Sequence, residues 1–446
     1  MGTAAYDRAG AAARGPIDVA IIGGGPAGST AAILLVERGY RVVLLEKEQH
    51  PRFHIGESLL PANLPLFERL GVAEQIRGIG MEKHGAEFVS PWHAQAETYL
   101  FADAWRCISP YAYQVRRSEF DEILIRRAAA AGATVIEGCR ARHVEVLDNP
   151  DAVQVLAEHA SGKRELWSAR FLIDASGRDT LVANQLGYKR RNPKHNSAAM
   201  YAQFSGVQRA EGINAGNISI FWFDHGWFWL IPLADGATSV GAVVWPYFMK
   251  QRTKPPREFF LETIQMCGPL AKRLAQARLI SQVQVTGNYS YSSVRSHGKR
   301  FLLLGDAYAF IDPVFSSGVW LAMNSAVAGA EAVDTCLRAP ARGAFALRQF
   351  HRTMRRGPRE FSWFIYRITN PTLRDLVMHP RNVLRIRDAV LSLLAGDIFG
   401  TTPIGPALRA FKGIYIVSSI MNVRRTIAAM RRRRRIMADS KSAVAD

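Results

Sequence analysis

Residues 17–46 read IDVAIIGGGPAGSTAAILLVERGYRVVLLE, and the order of elements in this stretch decides the fold. The β-branched, apolar run at 17–22 is typical of a buried parallel strand. A glycine turn at 23–28 leads into a segment of helical composition, and a second buried strand follows at 41–45. One βαβ unit of about 30 residues is the size expected for a right-handed crossover. The chain is therefore predicted to be an α/β protein that begins with a Rossmann-like parallel sheet.

The turn between the first strand and the first helix has the spacing Gly-x-Gly-x-x-Gly. Gly23 permits the tight turn, Gly25 lets a pyrophosphate approach the backbone, and Gly28 lets helix and strand pack closely. The helix that starts at Ala27 turns its unpaired N–H groups and the positive end of its dipole toward the phosphates. Glu46 ends the second strand, where a carboxylate can bind ribose hydroxyls. The sequence therefore predicts a dinucleotide cofactor at this turn.

Nucleotide-binding segments recur farther along the chain, with sheet segments between them. Helical patterns are predicted at 119–131 and from Val319 onward, whereas 196–244 alternates and is rich in aromatics, as in an antiparallel sheet. Short buried strands are predicted at 134–136, 171–174 and 300–304. The nucleotide-binding domain is therefore predicted to be discontinuous. The predicted units are a disordered leader (1–15), the nucleotide-binding domain (16–80, 106–180 and 286–335), an inserted, mostly antiparallel β-sheet substrate domain (81–105 and 181–285), a helical C-terminal region (336–430) and a basic tail (431–446).

The charge of the chain is positive and uneven. The formal net charge is +19, and the segment from Glu331 to the end holds 22 Lys and Arg against 8 Asp and Glu. Five consecutive arginines stand at 431–435. Such a run is a solvated tail, or it docks an acidic partner or an anionic membrane surface as a peripheral contact. Nucleic-acid binding is not expected, because no groove-reading or aromatic residues accompany the charge.

Composition otherwise indicates an ordinary globular, cytoplasmic enzyme. Hydrophobic residues make up 48% of the chain, and no run approaches the roughly 18–20 apolar residues of a membrane-spanning helix. Residues 1–15 lack the apolar core of a signal peptide. The cysteines have no CxxC spacing and no nearby histidine pair, so we expect reduced, buried thiols and no metal site. These cysteines are Cys107, Cys139, Cys267 and Cys336.

Three later motifs indicate which dinucleotide is bound. Asp174-Ala-Ser-Gly177 is a second turn from a strand into a glycine, and Asp306, in Gly-Asp, can accept a hydrogen bond from a ribitol hydroxyl. Arg116 lies in Gln-Val-Arg-Arg, which supplies donors to the cofactor or is an exposed basic turn. The first glycine turn, Asp-Ala-Ser-Gly and Gly-Asp together resemble the FAD-binding signature of the aromatic-hydroxylase group of flavoproteins. The resemblance spans roughly residues 17–335 and implies a p-hydroxybenzoate hydroxylase-like domain that binds FAD.

A tryptophan-rich string at 226–232, GWFWLIP, helps to choose among these flavoproteins. On a strand, Trp227 and Trp229 share one face because side chains alternate. A plain core ladder would also explain two such indoles. The string resembles the Trp-x-Trp-x-Ile-Pro motif of flavin-dependent halogenases. That resemblance implies that the two indoles stand near the flavin and keep the substrate away from it, which would prevent direct hydroxylation.

Lys83 lies between two glycines in the string GMEKHGAEF at 80–88. A single lysine is usually solvated, but this segment resembles the halogenase region that carries an essential lysine. The resemblance implies a buried ammonium that donates a hydrogen bond to hypohalous acid, or an amine, deprotonated by desolvation, that forms a haloamine. Both roles stay open.

A Ser-Ser-Gly turn lies in the string DPVFSSGV at 312–319. Convergent N–H groups at a turn into a helix form an anion site, although a loop that simply lies on the flavin has the same pattern. Resemblance to the halogenases implies that Ser317 and Gly318 bind the halide, and that Pro313 and Gly318 contact the flavin.

The segment 51–61, PRFHIGESLLP, follows the ribose carboxylate and also resembles a halogenase segment. The resemblance implies that its backbone lines the flavin at Glu57 and Ser58 and couples the flavin site to the halide site.

The resemblance as a whole implies a flavin-dependent halogenase of the tryptophan-halogenase-like superfamily, in its phenol-, pyrrole- and alkyl-modifying branch. Reduced FAD, O₂ and chloride or bromide would give hypohalous acid that halogenates an electron-rich aromatic in secondary metabolism. The substrate is expected to be small and phenol-like, free or on an acidic carrier protein. Free tryptophan is not expected, because the chain is shorter than the tryptophan halogenases and their additional catalytic glutamate has no clear counterpart.

The same resemblance leaves two alternatives and implies one partner. An FAD-dependent aromatic monooxygenase and a geranylgeranyl-reductase-like oxidoreductase share the FAD motifs. No second dinucleotide fingerprint appears in the sequence. Reduced FAD is therefore expected from a separate flavin reductase.

Overall fold

The computed structural model describes residues 12–148, 152–193, 195–287, 290–399, 402–429 and 431. Its strands are β1 (Ala12–Ile22), β2 (Val42–Leu45), β3 (Met81–Lys83), β4 (Gly85–Val89), β5 (Glu97–Leu100), β6 (Ala112–Gln114), β7 (Thr134–Ile136), β8 (Cys139–Leu147), β9 (Ala152–His159), β10 (Arg164–Asp174), β11 (Lys189–Arg191), β12 (Ala198–Ser205), β13 (Ile218–Phe223), β14 (Gly226–Pro232), β15 (Thr238–Val244), β16 (Arg278–Leu279), β17 (Gln284–Thr286), β18 (Tyr291–Ser293), β19 (Phe301–Leu303) and β20 (Ala309–Phe310). Its helices are α1 (Pro26–Val36), α2 (Leu64–Leu70), α3 (Ala73–Ile79), α4 (Arg117–Ala131), α5 (Leu181–Gln185), α6 (Pro246–Lys250), α7 (Pro256–Gln265), α8 (Gly268–Arg273), α9 (Gly318–Arg338), α10 (Pro340–Ile365), α11 (Pro371–Met378), α12 (Ile386–Leu394) and α13 (Gly405–Met421).

The first sheet carries the predicted βαβ unit. Its strand order is β7–β2–β1–β10–β9–β8, and β19 pairs with the end of β10. The strands β7, β2, β1, β10 and β19 are parallel, whereas β9 and β8 are antiparallel additions. The carboxyl ends of β1, β10 and β19 therefore lie at one edge of the sheet. In parallel sheets of this kind, ligands bind at that edge.

Helix α1 fixes the position of the glycine turn at this edge. Pro26 stands in its first turn, where a missing N–H costs nothing. Every residue from Pro26 to Leu35 is buried, because α1 is apolar all round and packs between the sheet, α4 and α9. The turn that precedes α1 is thus held between a rigid strand and a rigid helix.

The second large sheet has the order β16–β12–β15–β14–β13–β4–β5, with β17 beside β12. All its pairings are antiparallel except that of β13 with β4. The central strands are buried on both faces. Trp227 and Trp229 pack with residues of the C-terminal helices, such as Phe361, whereas the alternate Phe228 packs with Phe260 of α7. The predicted α/β class, with an inserted, mostly antiparallel sheet and a helical C-terminal region, is confirmed.

Strand β1 begins at Ala12, five residues before the predicted start. Residues 12–14 pair with 165–167 of β10, and the Arg14 guanidinium donates to the Glu165 carboxylate at 2.6 Å. Residues 12–15, which the sequence assigned to a disordered leader, are therefore part of the sheet. Residues 1–11 of that leader, and the basic tail beyond Arg431, lie outside the described residues.

The four cysteines are free thiols. Cys139 and Cys267 are buried as predicted, but Cys107 is exposed and Cys336 is half-buried. In the described ranges, no helix is both long enough and apolar enough to cross a membrane.

Candidate active site

A cavity of about 730 Å³ opens at the carboxyl edge of the parallel sheet. Ligand clefts range from roughly 300 to 1,000 Å³, so the cavity can hold a large cofactor. Its walls come from the turns after β1, β2, β10 and β19, from the start of α9 and from β14. The predicted site residues that line it are Gly23, Gly25, Ala27, Glu46, Glu57, Ser58, Gly177, Trp227, Trp229, Asp306, Pro313, Ser317 and Gly318.

The glycine turn needs glycine at two positions for steric reasons. Gly23 has φ +100°, and a Cβ there would lie 2.3 Å from the carbonyl oxygen of Ala175. A Cβ on Gly28 would lie 1.8 Å from the carbonyl oxygen of Gly23. Gly28 therefore closes the contact between α1 and the turn and does not line the cavity. A Cβ on Gly25 would meet only the guanidinium of Arg52, at 3.7 Å, so the backbone is open to the cavity there.

Glu46 lies beneath the glycine turn at the end of β2. Its carboxylate accepts the N–H of Gly24 at 2.6 Å and the N–H of Glu48 at 2.9 Å. An ionised carboxylate has about four lone-pair sites, so Glu46 can also accept ribose hydroxyls from the cavity. The same side chain thus shapes the turn and faces the ligand space.

Asp174 ends β10 and Asp306 lies three residues after the end of the neighbouring parallel strand β19, but the two carboxyl groups have different surroundings. Asp174 does not line the cavity, because its carboxylate accepts the N–H groups of Ser176 and Val182 at 2.9 and 2.8 Å. It shapes the turn whose Gly177, at φ +60°, does line the cavity. Asp306 faces the cavity, and burial raises its pKa to about 6. The sequence assigned both residues to cofactor binding and gave only Asp306 a ligand contact, with a ribitol hydroxyl, and in the structure only Asp306 lines the cavity.

Of the two arginines at the start of α4, the second faces the cavity. Arg116, which the sequence singled out, donates to Gln203 at 2.9 Å and pairs with Asp235, away from the cavity. Arg117 lines the cavity and is held by two hydrogen bonds to Asp121, at 2.9 and 3.0 Å. The Gln-Val-Arg-Arg motif thus faces the cavity through its second arginine and not through Arg116, and an aspartate four residues after Arg117 on the same helix is a signal for a fixed guanidinium.

The turn at 312–318 presents an unpaired hydroxyl to the cavity. The Asp312 carboxylate accepts the N–H of Val314 at 3.2 Å, and α9 begins at Gly318. Ser317 is buried, and its Oγ has no hydrogen-bond partner within the described ranges. A buried polar group left unpaired costs roughly 1–3 kcal/mol. The unpaired hydroxyl at a helix N-terminus therefore fits an anionic ligand or the cofactor.

A buried histidine, His195, contacts Asp312 of this turn. The Nε2 atom of His195 lies 2.9 Å from the Asp312 carboxylate, and the Ser197 hydroxyl lies 3.2 Å from the same nitrogen. His195 stands just before β12, and it is buried. Sequence reasoning missed it, because 117 positions separate His195 from Asp312 and no local pattern links them.

The two tryptophans of β14 form one wall of the cavity. They lie on one face of the strand, as its periodicity predicts, with ring centroids 6.0 Å apart. The Nε1 atom of Trp229 donates to the Ser239 hydroxyl of β15 at 3.2 Å. A Cβ on the neighbouring Gly241 would lie 2.1 Å from the Trp229 ring. The indole therefore depends on a glycine beside it for its position.

Lys83 is not solvated, because only 1% of it is exposed. Its Nζ atom donates to the Ser58 hydroxyl at 2.9 Å and to the Leu59 carbonyl at 3.1 Å, and it lies 5.3 Å from the centre of the Phe101 ring. Burial lowers its pKa to about 7. Lys83 does not line the cavity, but Ser58 does. The Ser58 hydroxyl therefore connects the cavity to the lysine.

Glu57 is a buried carboxyl on the cavity wall. Burial raises its pKa, and Gln203 donates to it only weakly, at 3.5 Å. Its Oε2 atom has no partner among the residues that the structure describes. Like Ser317, this group has hydrogen-bonding capacity left for a ligand.

Comparisons with known proteins agree with this site. A family described as an FAD binding domain matches residues 16–350. The chain is 31% identical to the 1H-pyrrole-2-carbonyl-[peptidyl-carrier protein] chlorinase of Pseudomonas fluorescens, over 86% of this chain and 89% of that protein. It is 36% identical to the tryptophan 2-halogenase of Chondromyces crocatus over 72% of this chain, but it spans only 61% of that longer protein.

The chain also resembles solved structures of flavoproteins, one of which is a halogenase. The myxobacterial chondrochloren halogenase CndH is 32% identical, with a TM-score of 0.76, and the match covers 88% of this chain and 92% of that one. A flavoprotein/dehydrogenase from Cytophaga hutchinsonii is 26% identical, with a TM-score of 0.83, and the match covers 92% and 100%. The fold and the site thus define an FAD-dependent enzyme of the oxidoreductase type. Within that class, the chain belongs to the flavin-dependent halogenase family.

The cavity also fits FAD on its own chemistry. The open backbone at Gly25 suits a pyrophosphate, and the carboxylate of Glu46 retains free lone pairs for ribose. Ser317, whose hydroxyl is unpaired, also lines the cavity. FAD is therefore the cofactor.

Proposed function

We propose that this enzyme halogenates an electron-rich aromatic compound and that Lys83 is its catalytic residue. The observation that carries the proposal is the hydrogen bond from the buried Lys83 ammonium to the Ser58 hydroxyl, at 2.9 Å, because Ser58 lines the FAD cavity. A lysine held without solvent beside an oxidising cofactor can act on a small, polar oxidant that reaches it.

Different residues around the cavity are proposed to bind the cofactor and the halide. Gly25, Glu46 and Asp306 are proposed to hold FAD, which when reduced supplies, with O₂, the oxidation of halide to hypohalous acid. The N–H of Gly318 and the hydroxyl of Ser317 are proposed to bind chloride or bromide, since both stand at the N-terminus of α9.

The tryptophan wall is proposed to exclude the aromatic substrate from the flavin. Trp227 and Trp229 are both buried and both line the cavity, so their indoles occupy space that a substrate ring would need for direct hydroxylation. A monooxygenase requires that space. The wall therefore favours halogenation at a distance from the flavin.

The chemistry of Lys83 follows from its burial. With a pKa of about 7, both the ammonium and the amine are populated near neutral pH. The ammonium can donate a hydrogen bond to the oxygen of hypohalous acid, which makes the halogen more electrophilic. The amine can attack the halogen of hypohalous acid, so that an N–halogen bond forms as the O–halogen bond breaks; the departing hydroxide takes the proton from nitrogen and leaves as water. The Ser58 hydroxyl orients Nζ in either case.

The proposed substrate is a phenol or a pyrrole, free or on a carrier protein. The name of one relative specifies a pyrrole on a carrier protein, and this supports a carrier-bound substrate. The excess of 14 positive charges from Glu331 to the end would complement an acidic carrier. A separate flavin reductase is proposed to supply reduced FAD. The free thiols fit a reducing cytoplasm.

One reconstitution tests the proposal. The enzyme is incubated with FAD, a flavin reductase, NADH and chloride or bromide, together with free and carrier-bound phenols and pyrroles. Mass spectrometry should show halogen isotope patterns in a product. Lys83→Met should lose at least a hundredfold of this activity and keep its FAD absorbance, whereas the exposed Lys272→Met control should match the wild type.

Three outcomes would contradict the proposal. Hydroxylated product from the wild type would indicate a monooxygenase, and turnover without O₂ would indicate a reductase of double bonds. Halogenation by Lys83→Met at the wild-type rate would remove the lysine from the mechanism.

A further inference from the structure

Exposed aliphatic side chains concentrate at the C-terminal end of the described chain. Of its twenty most exposed large hydrophobic residues, seven lie between 414 and 427. Ile420 is 67% exposed and Met421 is 79% exposed, which is unusual for such side chains in a monomeric protein. We call this set the aliphatic stripe: Ile414, Ile416, Val417, Ile420, Met421, Val423 and Ile427.

Five of the seven stripe residues, from Ile414 to Met421, lie on α13, whose other face is anchored, and Val423 and Ile427 follow the end of that helix. Phe411 and Tyr415 are buried in the core that also contains the tryptophan wall. Val417 precedes Ile420 by three residues and Met421 by four, so these three side chains are neighbours on the opposite, exposed face. The part of the stripe between Ile414 and Met421 therefore stands on a helix that is packed against the core.

The stripe lies in a segment with a single sign of charge. Between Asp397 and Asp439 the sequence contains no acidic residue and nine basic ones. The basic residues are Arg409, Lys412, Arg424, Arg425 and Arg431 to Arg435. Pairing two copies of this chain through the stripe would bring these like charges together. Lys412 and Arg425 already pair with Glu360 and Asp375 of this chain, so the other basic residues supply most of the charge that would complement an anionic partner.

We propose that the aliphatic stripe and its flanking basic residues bind an anionic lipid surface. The apolar side chains would enter the boundary between headgroups and acyl chains, while the arginines contact the headgroups. No helix of the described ranges can span a bilayer, so the contact is peripheral. The charge alone would also suit an acidic protein, but the stripe contains no Tyr, Trp or Phe, the side chains that anchor protein interfaces, and its aliphatic composition favours a lipid surface.

Vesicle co-sedimentation of the full-length, FAD-loaded enzyme tests this proposal. Vesicles of phosphatidylcholine alone are compared with an equimolar mixture of phosphatidylcholine and phosphatidylglycerol. The enzyme should sediment only with the anionic vesicles. Raising the salt from about 0.1 M to about 1 M should release it, because the Debye length falls from roughly 10 to 3 Å.

Two pairs of variants separate the apolar and the basic contributions. Ile420→Asp with Met421→Asp should lower the bound fraction at least tenfold, whereas Val383→Asp with Leu384→Asp, at equally exposed positions elsewhere, should leave it unchanged. Replacing the five arginines at 431–435 by glutamine should also lower it tenfold, but replacement by lysine should preserve it. FAD absorbance verifies that each variant is folded.

Several results would overturn the proposal. The first is the same bound fraction with neutral and with anionic vesicles, which includes the case of no binding to either. The second is unchanged binding by the Ile420→Asp, Met421→Asp variant. Light scattering that shows a dimer dissociated by this variant would assign the stripe to a second copy. Capture of an acidic carrier protein by the stripe, without vesicle binding, would assign it to a protein partner. The vesicle experiments are independent of the halogenation assay with free substrates, so the failure of one leaves the other standing.

Discussion

Replacing Lys83 by methionine is expected to stabilise the fold while it removes the proposed activity. Burial lowers the pKa of Lys83 from 10.5 to about 7, whereas the unfolded chain keeps the ordinary value. Each pKa unit corresponds to about 1.4 kcal/mol. The protonated lysine thus destabilises the native state by an amount on the order of 5 kcal/mol at or below neutral pH.

Replacing Lys83 by methionine removes this destabilisation, but the loss of two hydrogen bonds offsets part of the gain. Methionine has a similar length and volume and carries no charge, so it can occupy the space of Lys83 without a large cavity. The Ser58 hydroxyl and the Leu59 carbonyl each lose a hydrogen bond, at about 1 kcal/mol apiece. The expected gain in the free energy of unfolding is therefore about 2–3 kcal/mol near pH 7.

The gain should depend on pH in one direction. Because the pKa of Lys83 is lower in the folded state, the unfolded chain binds more protons between about pH 7 and pH 10.5. The stability of the wild type therefore rises with pH across this window relative to the variant. The advantage of Lys83→Met should be largest at pH 7 or below and should shrink as pH approaches 10.5.

Denaturant unfolding of FAD-free protein at several pH values between about 6 and 9 measures this difference. Lys272→Met, at an exposed lysine, should differ from the wild type by less than about 0.5 kcal/mol at every pH. A less stable Lys83→Met variant at pH 7, or an advantage that does not change with pH, would refute the reasoning.

Three further substitutions test the cavity. Gly28→Ala should abolish FAD binding, measured by flavin absorbance, because its Cβ would lie 1.8 Å from the Gly23 carbonyl oxygen. Glu46→Ala should weaken FAD binding about 10- to 100-fold in a fluorescence titration, since hydrogen bonds to charged groups contribute roughly 1.5–3 kcal/mol. His195→Gln should raise the KM for halide about tenfold without changing FAD affinity, because the Asp312 turn loses its support. Normal flavin content in Gly28→Ala, unchanged affinity in Glu46→Ala, or loss of FAD by His195→Gln would each contradict the corresponding role.

Local features of the fold and the site could be predicted from the sequence. The unit from β1 through the glycine turn to β2 is contiguous, so its hydrophobic pattern contains all the information needed. Trp227 and Trp229 share a face because alternation along one strand requires it. Both predictions depend on residues within about 30 positions of each other.

Features that depend on distant parts of the chain could not be predicted in this way. The choice between Arg116 and Arg117 depends on where α4 begins and on Asp235, more than a hundred residues later. The contact between His195, just before β12, and Asp312, in the turn before α9, joins residues that are 117 positions apart. The early start of β1 depends on its pairing with β10. Periodicity carries no signal for such contacts.

The parallel pairing of β4 with β13 has a consequence for synthesis of the chain. Val89, at the end of β4, is made about 130 residues before Ile218, at the start of β13. At roughly 5–20 residues per second, this interval lasts on the order of ten seconds. During it β4 has β5 on one side only, and its other edge is open to other nascent chains. Slower translation should therefore lengthen this interval and lower the soluble yield, and chaperones that cover strand edges should restore it.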